Sequence, residues 1–290
     1  MGVFFFGMGY SSLATARAIH QNLDPEVPIS GTTRTLDNAE LLADTAYRIH
    51  VFDGVTPGET VADDVMRATH VILSIPPDDN GDPAFNLHRD ALDAAPNLEW
   101  LGYFSTVGVY GDFGGAWIDE SAPTRPLNNR SKIRLAVEEQ WRKYAAERGV
   151  PLLILRLAGI YGPGRSAFDK LRDGTARRIV KANQVFNRIH VDDIGRVTQL
   201  AAAQKLGGTF NLSDDEPAPP QDLVTYAARL MGVPPPPEVP FEQASMTEMA
   251  RSFYSDNKRV SSKAIKEALG IELLYPTYRE GLEAIHRQHA

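Results

Sequence analysis

Val3-Phe4-Phe5-Phe6-Gly7-Met8-Gly9-Tyr10-Ser11-Ser12 carries the chain from an apolar run through a glycine bend into an amphipathic stretch. Four apolar residues closed by glycine read as a buried strand, and Ser12–Asn22 has apolar residues at helical spacing. Gly7 permits a tight turn, and Gly9 lets backbone amides approach a diphosphate with no Cβ in the way. Ser12 stands where G-x-G-x-x-G has its third glycine, a position that needs a small residue for helix–strand packing. The amides of Tyr10, Ser11 and Ser12 then open the helix, where unpaired N–H groups and the positive dipole end favour phosphate. This order predicts a dinucleotide site; a glycine-rich turn with no ligand is the alternative.

Working outward, the first 160 residues repeat the pattern. Short β-branched or aromatic runs stand at Ile29–Thr32, Tyr47–Phe52, His70–Ile75, Trp100–Ser105 and Leu152–Leu157. Helical spacing marks Leu36–Ala43, Thr60–Ala68, Pro83–Ala94 and Arg130–Arg148 between them. Alternation of this kind predicts a Rossmann-type α/β fold, a doubly wound parallel sheet with helices on both faces. Ile189–Val191 and Gly208–Leu212 read as strands and Asp192–Gln204 as a helix. From Ser213 the chain reads as helical, broken by the stiff connector Pro234–Pro237. The expected division is a nucleotide-binding domain over 1–162, rejoined by 189–212, and a small, mostly helical substrate lobe from 163–188 and 213–290.

The end of the second strand, Ser30-Gly31-Thr32-Thr33-Arg34, has no acid before Leu36. An Asp or Glu there accepts the ribose 2′-hydroxyl of NAD. Arg34, with Thr32 and Thr33, suits a 2′-phosphate instead, so NADP(H) is favoured over NAD(H). Asp53 after the third strand either meets the adenine or caps its own turn. Ser74 and Pro76, after the fourth strand, fall beside a cofactor if the strand order reverses there, or simply end the strand.

Composition narrows the classes. The 290 residues hold 30 Lys plus Arg against 37 Asp plus Glu, a net charge of −7. Nucleic-acid and acidic-membrane partners, which select positive charge, are not expected. No cysteine is present, which removes thiol catalysis and thiolate metal sites, and the histidines show no metal-ligand spacing. No secretory or membrane-length apolar segment occurs, so a soluble, cytoplasmic chain is expected.

Tyr103-Phe104-Ser105-Thr106-Val107-Gly108-Val109-Tyr110-Gly111 resembles the extended short-chain dehydrogenase/reductase superfamily, in its sugar-nucleotide epimerase/dehydratase branch. Asp119-Glu120 with Pro126, Leu155-Arg156 through Ile160-Tyr161-Gly162-Pro163-Gly164, Arg188 to Asp193, and Phe210-Asn211-Leu212 match in order. Tyr275-Pro276-Thr277 with Gly281 resembles the end of such chains. The resemblance implies a Ser/Thr, Tyr and Lys in catalysis, and homodimerisation through the Pro83–Ala94 and Arg130–Arg148 helices. Trp141 and Tyr144 on the latter are core or dimer residues.

Thr106 matches the Ser/Thr. The Y-x-x-x-K-x-x-x-E stretch has two registers: Glu138 as anchor puts Arg130 at the tyrosine and Arg134 at the lysine. Lys132 as anchor puts Asn128 at the tyrosine and leaves Ala136 where the acid belongs. The first is preferred, and in both the tyrosine is missing. A phenol shuttles a proton; an arginine stabilises negative charge but does not cycle as an acid. Arg134 or Lys132 is expected at the nicotinamide ribose. Tyr110 and Tyr161 are the nearest substitutes in sequence, with structural roles preferred; the resemblance puts both, with Arg165 and Arg188, toward substrate. Dehydratases of the family place acids directly after the Thr, where this chain has Val107 and Gly108, so dehydration is disfavoured.

Arg165, Lys170, Arg172, Arg177, Arg178, Lys181 and Arg188 crowd one segment and suggest either a small anionic substrate or a solvated lid. His190, beside Asp192 and Asp193, is expected in a structural hydrogen bond. Two functions follow from these readings. One is an NADP(H)-dependent oxidoreductase or epimerase acting on a small anionic or nucleotide-linked carbonyl or alcohol. The other is a catalytically inactive NADP(H)-sensing or partner-binding protein.

Overall fold

The computed structural model describes residues 1–289. In chain order the elements begin β1 (Val3–Phe6), α1 (Tyr10–Asn22), β2 (Ile29–Thr33), α2 (Leu36–Glu40), β3 (Arg48–Val51), α3 (Val61–Arg67) and β4 (His70–Leu73). Then come α4 (Pro83–Asp93), β5 (Trp100–Thr106), β6 (Trp117–Ile118), α5 (Asn129–Arg148), β7 (Leu152–Leu157), β8 (Gly159–Tyr161), α6 (Ala167–Arg172) and β9 (Arg178–Val180). The remainder is β10 (Arg188–His190), α7 (Val191–Ala203), β11 (Gly208–Leu212), α8 (Pro220–Leu230), β12 (Glu238–Pro240), α9 (Glu248–Ser252), β13 (Arg259–Val260), α10 (Lys263–Leu269) and α11 (Tyr278–His289).

Two compact units result. The first comprises Met1–Thr106, Asn129–Arg156 and Ile194–Phe210. Its seven-stranded sheet runs β11-β7-β5-β4-β1-β2-β3. β1 lies parallel between β2 and β4, with Phe4 opposite Ser30 and Val71. Strand order therefore reverses beside β1, and in such sheets ligands bind at the carboxyl ends of the strands flanking the reversal. One core layer packs Phe4, Phe6, Phe52, Val61, Leu73, Leu92, Tyr103, Trp141 and Tyr144 beneath α3, α4 and α5. On α7, Gly195 comes so close to α1 that a Cβ would lie 2.6 Å from the Ala14 carbonyl.

The second unit comprises Val107–Asn128, Leu157–Asp193 and Asn211–Ala290. Segment 107–128, read from sequence as part of the first domain, belongs here because β6 pairs with β13. Lys258 Nζ also donates to the Gly111 carbonyl at 3.0 Å. The stretch after Ser213 is more mixed than its helical reading: β12 pairs with β9, and β13 intervenes before α10. Tyr161, Phe168, Ala227, Tyr278, Leu282 and Ile285 form its core.

No helix of the described residues is long and apolar enough to cross a membrane. No group of three or more His, Asp or Glu among them could hold a metal.

Candidate functional site

The glycine bend is tied down from three sides. The Gly7 amide donates to Thr32 Oγ1 at 2.9 Å, and the Met8 amide to the Thr32 carbonyl. Ser74 Oγ donates to the Gly7 carbonyl at 2.8 Å and lies 2.8 Å from Ser12 Oγ. Gly7 takes φ +96°, and a Cβ there would stand 2.9 Å from Ser74 Oγ. Only glycine adopts this backbone at no steric cost. Buried Ser12 and half-buried Ser74 thus lock β1, α1 and β4 together. Thr32, expected at a 2′-phosphate, is buried and spent on holding the bend.

Gly9 behaves differently. It is the N-cap of α1 with extended backbone (φ −88°, ψ −167°), and a Cβ there would meet nothing within 4 Å. α1 has no side-chain cap and no acid in its first turn. The 13-residue helix therefore starts without a side-chain cap or an acid, beside open space in the Cβ direction of Gly9. These are the features that a dinucleotide diphosphate requires, so the residues fit the group. Arg34 is exposed directly after β2, and Thr33 Oγ1 donates to the Thr35 carbonyl. Asp53 takes the turn-capping alternative. Its carboxylate accepts the Val55 and Thr56 amides at 2.7 and 2.8 Å, which hold it below the usual carboxylate range. Pro76 is exposed just beyond β4.

A second constellation lies along α5. Arg130, Arg134 and Glu138 are spaced one turn apart and so share one helix face. Glu138 is fully buried and accepts Ser105 Oγ at 2.5 Å. Arg156 grips the same carboxylate through Nε at 3.1 Å and Nη2 at 2.7 Å, and Arg142 adds Nη2 at 3.0 Å. This anchor lies beside Thr106, the last residue of β5, and turns the Arg130 face toward that strand. Arg134 Nη1 donates to the Phe104 carbonyl at 3.0 Å and to Tyr103 Oη at 3.3 Å. Lys132 is exposed two residues from Arg130, off this line, and Asn128 precedes the helix.

Tyr103 was missed in the sequence, because a tyrosine inside a buried strand reads as packing. It is fully buried, and burial pushes its phenol far above its ordinary value. Near it, buried Asp82 accepts Trp141 Nε1 at 2.9 Å, and burial raises its carboxyl.

In the second unit, several expected substrate contacts prove to be internal struts. Tyr110 is buried and donates to Asn211 Oδ1 at 2.8 Å. Arg188, 6% exposed, donates to the carbonyls of Phe186 and Ala218. Tyr161 is buried with its hydroxyl against Gly281, and burial raises that phenol. Its strand partner His190 accepts the Asp192 amide through Nδ1, and burial lowers its pKa to about 4. Of the basic segment, Arg178 pairs with Glu238 at 2.5 Å and Arg172 with Asp169 at 3.6 Å, while Lys181 donates to the Tyr254 carbonyl. Arg165, Lys170 and Arg177 stay exposed. Charge crowding in sequence thus overstated the anion-binding surface, because most of these cations serve their own unit.

A model of the NAD dependent epimerase/dehydratase family matches residues 76–213. Over that stretch, just under half of the chain, the protein is similar to this family. A functionally unknown conserved protein from Silicibacter pomeroyi DSS has a similar structure: 43% identity, TM-score 0.87, covering 99% of this chain and 98% of its own. Protein YeeZ of Escherichia coli K12 is 28% identical over 223 residues, 74% of each chain. A 3-diazoavenalumate denitrifying reductase from a Streptomyces species is 28% identical over 144 residues, 45% of each. The dTDP-glucose 4,6-dehydratase of Bacillus anthracis, solved with NAD, shares the fold at TM-score 0.79 and 15% identity, over 100% of this chain and 96% of that one.

Proposed function

We propose that this chain is an NADP(H)-dependent oxidoreductase acting on a small anionic or nucleotide-linked carbonyl or alcohol. The observation that carries the reading is the open, uncapped start of α1 at Gly9, with Arg34 and no acid at the end of β2. Tyr10 and Ser11 amides would hold the diphosphate, and Arg34 the 2′-phosphate. The bound nucleotide supplies or accepts hydride. Thr106 Oγ1 would hold the reacting oxygen of substrate, and Arg130 and Arg134 would stabilise negative charge near it. The reductase among the relatives supports redox chemistry over epimerisation. So does the missing phenol, since epimerisation through a ketone must both remove and restore a hydroxyl proton. The dimer expected through α4 and α5 remains part of the reading.

A second reading, an NADP(H) sensor without turnover, is favoured by the lack of a tyrosine in either register of the Y-x-x-x-K stretch, where Arg130 or Asn128 stands. Calorimetry with NADPH and NADH, followed by nicotinamide absorbance across a carbonyl panel, separates the two. Binding with substrate-dependent oxidation of NADPH supports the enzyme; binding with no turnover supports the sensor; no binding removes both.

A further inference from the structure

Arg134 is half-buried, and its two hydrogen bonds both leave from Nη1, to Phe104 O and Tyr103 Oη. Its guanidinium also lies 5.7 Å from the Tyr103 ring centroid. One end of the fork is therefore fixed to β5, and Nε and Nη2 have no protein acceptor among the described residues. The same unit shows what that edge does when it meets a carboxylate: Arg156 holds Glu138 through Nε and Nη2, at 3.1 and 2.7 Å. Two parallel N–H donors match two coplanar oxygens, a geometry that a lone alkoxide or a neutral hydroxyl cannot satisfy. Arg130 stands one turn earlier on the same face, about 6 Å along the axis toward the end of β5, and adds a second positive charge.

We infer that the Nε/Nη2 edge of Arg134, backed by Arg130, is a receptor for a planar carboxylate, and that the substrate carries such a group. The inference rests on the dinucleotide reading above and names the substrate class of that site. It also moves Arg134 away from the ribose role expected from the family's lysine, because ribose hydroxyls are neutral and not coplanar. Arg134 is then a binding residue for substrate, and its rigid anchoring by Tyr103 and Phe104 lowers the entropy lost when the anion docks.

The test is calorimetry on the full chain saturated with NADP+, titrated with sodium cinnamate and separately with cinnamyl alcohol. Cinnamate should bind at least about tenfold more tightly than the alcohol. Arg134→Gln should remove most of that preference, Arg130→Gln should reduce it about threefold or more, and NADP+ affinity should change little in either. Arg134→Lys, which keeps charge but not the fork, should recover less than half of the lost binding energy. Equal binding of acid and alcohol, or no cinnamate binding by the NADP+-loaded chain, overturns the receptor. So does an Arg134→Gln variant that loses NADP+ and keeps cinnamate, which returns Arg134 to the ribose. Failure of NADP+ itself to bind overturns the reading beneath and is seen before any cinnamate is added.

Discussion

The bend between β1 and α1 and the first two turns of α5 sit in the same unit, yet they stand in opposite relation to the motifs read from the sequence. At the bend the glycine pattern of a dinucleotide turn is present down to its tethers. Gly7 has a left-handed backbone, Gly9 faces open space, and Ser12 fills the third position while bonded to Ser74. On α5 the anchor Glu138 is kept, but the two positions above it are both arginine. In the proposed function the first region would offer donors to phosphate, and the second fixed positive charge where the resemblance leads one to expect a titrating phenol. The function proposed above therefore treats nucleotide binding and proton transfer separately, the first at the bend and the second beside α5.

The largest expected effect comes from removing what both regions need, the scaffold. Glu138→Ala leaves Arg156, 5% exposed, without its carboxylate. Breaking a buried pair from one side costs about 3–5 kcal/mol, so chemical denaturation should show a loss of that order. A loss below about 1 kcal/mol would mean that the α5 face is not anchored this way. Next, Arg34→Ala sharpens the bend's specificity. NADPH affinity should fall about tenfold to a hundredfold with NADH affinity unchanged, and equal losses for both would remove Arg34 from the 2′-phosphate.

The smallest effect concerns acid stability. His88 lies 2% exposed beside Phe6 and Phe52, and burial lowers its pKa to about 4. Its native state resists protonation, whereas the unfolded chain protonates near the ordinary value of about 6.5. Between these values the unfolded state binds more protons, so stability should fall as pH drops from about 6.5 to about 4. His88→Phe should flatten that loss by about 1–3 kcal/mol, read from denaturation midpoints across the window. Unchanged pH dependence would assign the acid sensitivity elsewhere.

Strands and bend were legible because a parallel sheet demands continuous apolar runs and a phosphate-binding turn demands glycine at fixed offsets. Helix α5 was legible from the helical spacing of apolar residues across Arg130–Arg148. The small β6–β13 and β9–β12 pairs were not, since two- and three-residue strands carry no period. The β6–β13 pair also goes with the grouping of 107–128 in the second unit. Cation crowding between Arg165 and Arg188 misled for a different reason: sequence counts charges, while partners such as Glu238 lie about 60 residues away. Tyr103 and the second grip on Arg134 depend on a strand and a helix meeting, which no local pattern records.

The proposed function stands or falls with a ligand in the space in front of Gly9. Because that residue has ordinary extended backbone and an empty Cβ direction, Gly9→Val isolates the claim. The melting temperature should stay within about 2 °C of the parent, while NADPH affinity measured by calorimetry falls at least about fiftyfold. A variant that binds NADPH as the parent does would contradict the account.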